Sequence, residues 1–383
     1  MKYFEKYTSN TCGGSGNQLF FKMKDGEVRT GRVFYKIFAG GEYNYSILFS
    51  NIMDSTFARG ERSHKNLICD SWQIINAKIG KCKEIPQDKE PEVLTMADKG
   101  DNKAADIIVS DLKDITFNGS ISKEVMPGEF FSSDPIKCTF EKDEYLCLEI
   151  TFSGNMIPYH EETLLPVYVK TENGWKYSNQ MPFAGMIGCN RKTDAKIAFF
   201  GDSITQGIGA PKNSYKHWNA VLAEKLGEKY AYWNIGLGFG RANDAASDGA
   251  WLFKARQNDI VVVCYGVNDL SQGFSEKQIK DDLTYIVKNL KKSGKKVVLQ
   301  TIPPFDYTPE IAEKWRNINA YIKNELSLKA DLVFDTVPIL AESEQNPHKA
   351  KFGGHPDANG SALWAEAFYE KLNDFLTGYD KNI

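Results

Sequence analysis

The stretch from Lys196 to Thr205 reads KIAFFGDSIT, a mostly apolar run that passes into a glycine, an aspartate and a serine. An apolar run without polar alternation is what a strand covered on both faces requires. Gly201 permits a sharp turn, which sets Ser203 just beyond the strand's carboxyl end, with its own N–H turned into the same cleft. A serine or aspartate at that place also serves as a helix N-cap, so this loop by itself carries two readings.

Toward the C-terminus the pattern repeats. YAYWNIG (230–236), DIVVVCYG (259–266), KKVVLQTI (295–302) and ADLVFD (330–335) are further short apolar runs, separated by helical patterns. In 276–292, Ile279, Leu283, Ile286, Val287 and Leu290 share one helix face, and Gly294 follows as a C-cap. The final segment is read as a helix whose apolar face includes Leu363, Ala367 and Leu372. Five strands with helical crossovers predict a three-layer α/β domain around a parallel sheet. Ligands of such sheets bind beyond the carboxyl ends of the strands, so those loops are where chemistry belongs.

Upstream the texture is β. RVFYKIF (32–38), YNYSILFS (43–50), WQIINAKI (72–79), DIIVSDLKDITF (106–117), IKCTF (136–140) and EYLCLEITFS (144–153) are separated by Gly, Asn, Asp and Pro turns. Residues 1–190 are therefore expected to form an all-β sandwich or jelly roll. MIGCNRKTDA (186–195) is read as the crossing into a second domain over 191–383.

Composition excludes several classes. With 25% charged residues, 42% hydrophobic residues and a net charge of −3 over 383 residues, the chain matches an ordinary soluble protein large enough for two cores. The densest basic run, KNLKKSGKK (288–296), reads as a solvated helix end, so no nucleic-acid partner is expected. Neither a signal-like N-terminus nor a membrane-length apolar run is found, and the expectation is a cytoplasmic protein without a membrane partner. The seven cysteines lack metal-binding spacing and read as buried thiols, as a reducing compartment favours. No metal or cofactor is expected.

Three more strand-end loops carry unusual residues. NIGLGFGRAND (234–244) has glycines at 236, 238 and 240, and a backbone N–H from Gly238 or Phe239 could face a developing oxyanion. A dinucleotide-binding loop is the rival, but the GxGxxG spacing and the acidic residue about 20 positions later are missing. YGVNDL (265–270) offers Asn268, whose amide can donate without adding charge, and KFGGHPDANG (351–360) offers His355. His64, His160, His217 and His348 lie in polar or loop-like surroundings without ligand spacing, where surface or structural roles are expected, with His217 on the first helix of the α/β domain. A serine, a loop N–H, an asparagine and a histidine, in that order from four strand-end loops, are what acyl transfer needs. No GxSxG elbow is present, which disfavours an ordinary α/β-hydrolase.

The four blocks GDSIT, NIGLGFG, GVND and HPDANG resemble those of the SGNH (GDSL) hydrolase family, over roughly residues 195–376. The resemblance implies a flavodoxin-like fold and cofactor-free ester hydrolysis. Ser203 would be the nucleophile, His355 the base, and Ser203 N–H, Gly238 or Phe239 and Asn268 the oxyanion donors. Two positions depart from the family pattern: Phe239 stands where glycine is common, and Phe352 stands three residues before His355, where aspartate is common. Asp335, Glu342, Glu344, Asp357 or a main-chain carbonyl in the 350s are the alternatives for holding Nδ1 of His355.

More loosely, the first half is similar to the β-sandwich that precedes the SGNH domain in some carbohydrate esterases, FSNIMDST (49–56) and SSDP (132–135) included. Some of those enzymes work with a Ser–His pair alone. This implies removal of acetyl groups from a small-molecule or oligosaccharide ester, and is compatible with a homo-oligomer. The aromatic residues fit sugar stacking but equally a sandwich core. A lipase or lysophospholipase, an acyltransferase, and a carbohydrate-binding protein with an inactive SGNH domain are the other readings. For a lightly perturbed histidine base, activity should rise with pH through about 6 to 7.

Overall fold

A computed structural model describes residues 2–54, 66–85 and 107–380. The chain divides into two compact units between Lys192 and Thr193.

The first unit is built of antiparallel strands. One of its larger sheets runs in the order Thr8–Ser9, Met186–Cys189, Gly41–Ser50, Phe130–Ser132, with Ile136–Phe140 also paired to Gly41–Ser50. The other runs Gly174–Tyr177, Val167–Thr171, Arg29–Lys36, Tyr145–Gly154, Trp72–Cys82, Ser110–Ile115, with Lys123–Val125 also paired to Trp72–Cys82. Within Tyr145–Gly154 the period of two is plain from Leu148 to Phe152: Leu148, Ile150 and Phe152 are buried while Glu149 and Thr151 are partly exposed. Trp72 of one sheet meets Phe131 of the other edge to face, with ring centroids 6.4 Å apart, and its indole N–H donates to Asn51. The division falls within MIGCNRKTDA, and the apolar start of that stretch is a strand of the first unit. Met186–Cys189 is fully buried and pairs with Gly41–Ser50, so it belongs to the first unit's core.

In the second unit the strands are β1 (Ala195–Gly201), β2 (Tyr230–Asn234), β3 (Ile260–Cys264), β4 (Lys296–Gln300) and β5 (Leu332–Phe334). They form one sheet in the order β2-β1-β3-β4-β5, and every pairing is parallel. That order is the flavodoxin-like one, with its switch point at β1 and β3. The helices are α1 (Ser203–Gln206), α2 (Trp218–Leu226), α3 (Ala242–Ala245), α4 (Ala250–Ala255), α5 (Val267–Ser271), α6 (Glu276–Lys292), α7 (Pro309–Asn324), α8 (Val337–Leu340) and α9 (Ala358–Asp380).

The sequence periodicity places α6 correctly. Ile279, Leu283, Ile286, Val287 and Leu290 are all buried, Ser275 caps the N-terminus by accepting from the Gln278 N–H, and Gly294 follows the helix at φ 74°. For α9 Leu372 of the expected face is buried, but toward the start of the helix the face is rotated by one residue. Leu363 is 50% exposed, and the buried stripe is Ser361, Trp364, Ala365, Phe368, Leu372 and Leu376. Trp364 decides it by stacking on Trp218 of α2 with ring centroids 4.6 Å apart, a larger apolar contact than a leucine offers.

Candidate active site

β1 ends at Gly201, where a Cβ would lie 2.5 Å from the Cys264 carbonyl oxygen and collide with Thr205. Glycine is therefore required for the turn. Asp202 caps α1, its Oδ1 accepting from the Ile204 N–H at 3.0 Å. Ser203 is the first residue of α1, so its N–H has no acceptor within the helix.

Side chains from α2 and β2 hold α1 from behind. Asn219 Nδ2 donates to the Thr205 carbonyl at 2.5 Å, and Asn234 Nδ2 donates to the Gln206 carbonyl at 3.2 Å. The Trp218 indole N–H donates to the Ile204 carbonyl at 3.1 Å. His217, the N-cap residue of α2, is buried with its Nδ1 2.6 Å from Asn219 Oδ1. Burial pushes the His217 imidazole down to about 4, so it is neutral at pH 7 and its Nδ1–H donates to Asn219. It is a structural histidine, as the sequence led one to expect, but a buried one.

The glycine loop after β2 is equally well anchored. Gly236 N–H donates to Asn234 Oδ1 at 3.0 Å, and the Trp251 indole donates to the Ile235 carbonyl at 2.7 Å. Gly238 N–H donates to Gln206 Oε1 at 2.6 Å. That bond narrows the choice of oxyanion donor: Gly238 is turned to the Gln206 amide, whereas the Phe239 N–H, with φ at 57°, meets no acceptor among the described residues. Asn268, on α5, donates one amide hydrogen to the Gly240 carbonyl at 2.9 Å and keeps a second. Its neighbour Asp269 is fully buried and accepts from the N–H groups of Ala242 and Asn243 at 2.9 and 3.2 Å, tying α5 to the start of α3. Burial, assisted by neighbouring carboxylates, raises both Asp202 and Asp269 to about 7.

His355 Nε2 lies 2.7 Å from Ser203 Oγ. No described residue accepts from its Nδ1. The carboxylates considered from sequence are engaged elsewhere or exposed. Asp335 accepts from Thr301, Val337 and Lys323. Asp357 accepts from the Gly360 N–H at 2.8 Å at the start of α9, and Glu342 and Glu344 are exposed. Phe352 does not point a polar group at the ring: its carbonyl accepts from the Asp357 N–H, and its side chain packs over Gly360, where a Cβ would come within 2.6 Å.

A phenyl ring meets the imidazole instead, and His355 is half-buried. Phe305, in the loop after β4, meets it in a T-shaped contact with ring centroids 5.3 Å apart and planes at 80°. Gly209, at φ +102°, lets its loop run against the His355 and Pro356 carbonyls, where a Cβ would come within 2.7 and 2.6 Å. Burial alone pushes the His355 imidazole down to about 4. With no carboxylate bonded to the ring, nothing offsets that burial, which points to a titration below the 6 to 7 expected from the sequence.

Among the described residues, no group of three or more His, Cys, Asp or Glu side chains is arranged to hold a metal ion, and no helix is long and apolar enough to cross a membrane. His160 is buried in the first unit, and His64 lies outside the described residues.

Sequence reasoning missed Gln206, Asn219, Asn234, Asp269 and Phe305. The only local signals were polar residues placed where the strand and helix patterns expect apolar ones, and the stiff Pro303–Pro304 pair ahead of Phe305.

Residues 199–363 match the family described as GDSL-like Lipase/Acylhydrolase. No curated protein matches the chain. Among solved structures, a protein assigned to the lipolytic G-D-S-L family from Desulfitobacterium hafniense is 20% identical, with a TM-score of 0.40, covering 46% of this chain and 98% of its own. The psychrotrophic esterase EstA from Pseudoalteromonas sp. is 18% identical, with a TM-score of 0.38, covering 48% and 98%. The acetyl xylan esterase AlAXEase is 21% identical, with a TM-score of 0.37, covering 46% and 99%.

Proposed function

The C-terminal half of the chain carries a GDSL/SGNH hydrolase domain, and from that premise we propose that the protein is a serine esterase that removes acetyl groups from an O-acetylated carbohydrate. The observation that carries the hydrolase reading is the 2.7 Å hydrogen bond between Ser203 Oγ and His355 Nε2. At neutral pH the imidazole is uncharged, so Nε2 accepts the serine proton. Ser203 Oγ attacks the ester carbonyl carbon, the C=O π pair moves onto oxygen, and the hydroxyl proton passes to Nε2. The oxyanion is met by the N–H groups of Ser203 and Phe239 and by the second amide hydrogen of Asn268, all uncharged donors. Collapse breaks the C–O bond, and the sugar hydroxyl leaves with the proton from His355. Water then repeats the sequence on the acyl-enzyme, releasing acetate and restoring Ser203.

The choice of an acetylated sugar rests on the two-part organisation, an antiparallel β unit ahead of the hydrolase domain, and on its resemblance to carbohydrate esterases that use a Ser–His pair. The test pairs 4-nitrophenyl acetate and 4-nitrophenyl octanoate with an acetylated cello- or xylo-oligosaccharide, for the wild type and Ser203→Ala. Acetate release from all acetyl substrates, lost in Ser203→Ala, is expected. Equal rates in the two proteins would sink the esterase reading, and a preference for octanoate would replace the sugar assignment with a lipase-type one.

A further inference from the structure

We propose that Phe305 is the positioning residue of the Ser203–His355 pair, an apolar wall that fixes the imidazole where a triad would use a hydrogen-bonded acid. The proposal rests on the esterase reading above. A triad acid does two things for its histidine: it restrains the ring and it stabilises the imidazolium. Here the second is missing, because no described residue accepts from Nδ1, and the first still has to be met. A free imidazole has two side-chain torsions, and each misplaced rotamer removes the base from Ser203 Oγ.

Phe305 meets the ring in the T-shaped contact already described, and Gly354 makes room for it. A Cβ at Gly354 would lie 2.8 Å from both Cδ2 and Cε2 of Phe305, so the phenyl ring also presses on the backbone just before His355. The loop that carries Phe305 is anchored at three places. At its start, Ile302 N–H donates to Asn319 Oδ1 at 2.8 Å, and the Ile302 carbonyl accepts from Asn319 Nδ2 at 3.0 Å and from the Trp315 indole at 2.8 Å, all on α7. In the middle, Pro303 and Pro304 hold φ fixed, and the Tyr307 hydroxyl donates to the Pro303 carbonyl at 3.2 Å. At its end, Asp306 Oδ1 accepts from the Ala350 N–H at 3.1 Å, which ties this loop directly to the one that carries His355.

The same loop supports the donor side of the site. Gly266, at φ +128°, lies over Ile302, where any added Cβ would collide with the isoleucine side chain. Asn268 follows two residues later. One rigid segment, Ile302–Tyr307, thus sets the base and underlies an oxyanion donor. Charged groups carried on these loops include Lys351, whose ammonium sits over the Phe352 ring at 5.2 Å, and Asp306 and Asp357, whose carboxylates are bonded to backbone N–H groups. None of them bonds to the imidazole, which leaves the phenyl ring as the side chain that packs against it and adds to its burial.

The experiment compares wild type, Phe305→Ala, Phe305→Leu and Ser203→Ala as full-length chains, with 4-nitrophenyl acetate kinetics from pH 3.5 to 9 and fluorophosphonate labelling of Ser203. Phe305→Ala should lower kcat about 30-fold with KM within about threefold, slow labelling in parallel, and move the acid limb of kcat from near pH 4 toward pH 6 as solvent reaches the imidazole. Phe305→Leu restores apolar bulk, so kcat should recover to within about fivefold of wild type and the acid limb should stay low. A Phe305→Ala enzyme with kcat within twofold, or with reduced kcat and an unmoved acid limb, overturns the proposal. So does a Phe305→Leu enzyme no better than the alanine variant, and that comparison still decides if the alanine variant does not fold. Wild-type activity equal to that of Ser203→Ala would instead remove the esterase reading itself, so the two failures are distinct.

Discussion

Ser203 and His355 are held by different physics. Around Ser203 and the glycine loop, polar side chains carry the load: Asp202 on Ile204, Asn219 on Thr205, Asn234 on Gln206 and Gly236, Gln206 on Gly238, Asn268 on Gly240 and Asp269 on α3. Around His355, apart from Ser203 itself, contact is by shape, through Phe305 and the close passage of Gly209. A buried network defines donor directions to within the width of a hydrogen bond, which an oxyanion needs. A base that shuttles a proton between Ser203 and a leaving group has to stay neutral between turnovers, and an apolar surround supplies that without a charged partner.

The contrast can be broken first at the base. His355→Ala should cost about 10³-fold or more in kcat, while alanine at Asp335, Glu342, Glu344 or Asp357 should each cost less than about tenfold; a carboxylate variant as inactive as His355→Ala would reveal an acid partner and erase the distinction. On the donor side, Asn268→Ala removes one oxyanion donor and the clamp on Gly240. Its kcat should fall about 10²-fold with KM little changed, measured on 4-nitrophenyl acetate.

Next comes the frame. Asn219→Ala leaves the Thr205 carbonyl and His217 Nδ1 without their partner in a buried setting, and should destabilise the fold by about 1–3 kcal/mol in urea unfolding. A stability loss below about 0.5 kcal/mol would mean that the polar frame is not what fixes α1.

Smaller still are the pH effects. With the imidazole pushed down to about 4, kcat for acetate release should change less than about twofold between pH 5 and 8, and a rise through pH 6 to 7 would show that His355 is more solvated than its packing implies. For stability, His217 and His355 titrate near 6.5 when unfolded and near 4 when folded, so the unfolded chain gains protons first and stability is lost as pH falls through that interval. Asp202 and Asp269 act oppositely. They keep their protons to about 7 when folded but only to about 4 when unfolded, so they favour the fold as pH falls toward 4. Glu162, which burial in the first unit also pushes up to about 7, acts in the same sense, so these three carboxyl groups together oppose the two histidines between pH 7 and pH 5. Asp269→Asn, which deletes one of the favourable contributions, should lose more stability on going from pH 7 to pH 5 than the wild type does.

The parts of the site that were legible in the sequence are those whose chemistry is local. GDSIT, GVND and HPDANG each place one reactive side chain on a strand-end loop, and the parallel sheet then collects the loops. The unread parts are pairings across the fold. Nothing in NIGLGFG announces that Gly238 will be taken by Gln206, 32 residues earlier, and nothing near His355 announces Phe305. Periodicity placed Leu372 on the buried face of α9 but misjudged the start of the helix by one residue, because it weighs Leu363 like Trp364, whereas the fold rewards the ring that finds Trp218. MIGC was hidden for the opposite reason: a four-residue strand with every residue buried has no alternation to read.

The stacking of Trp364 on Trp218 has a temporal side. Trp218 donates to the Ile204 carbonyl, so the C-terminal helix braces the turn that presents the serine, and His355 enters the site just ahead of that same helix. The serine and its base are 152 residues apart in sequence, a long loop to close, and they meet only once α9 has docked. During synthesis or refolding, a chain whose sheet is already assembled but whose last helix is still loose would have a buried-type core and no working hydrolase. Recovery of ester cleavage would therefore lag behind recovery of sheet structure, and the lag would time the docking of that helix.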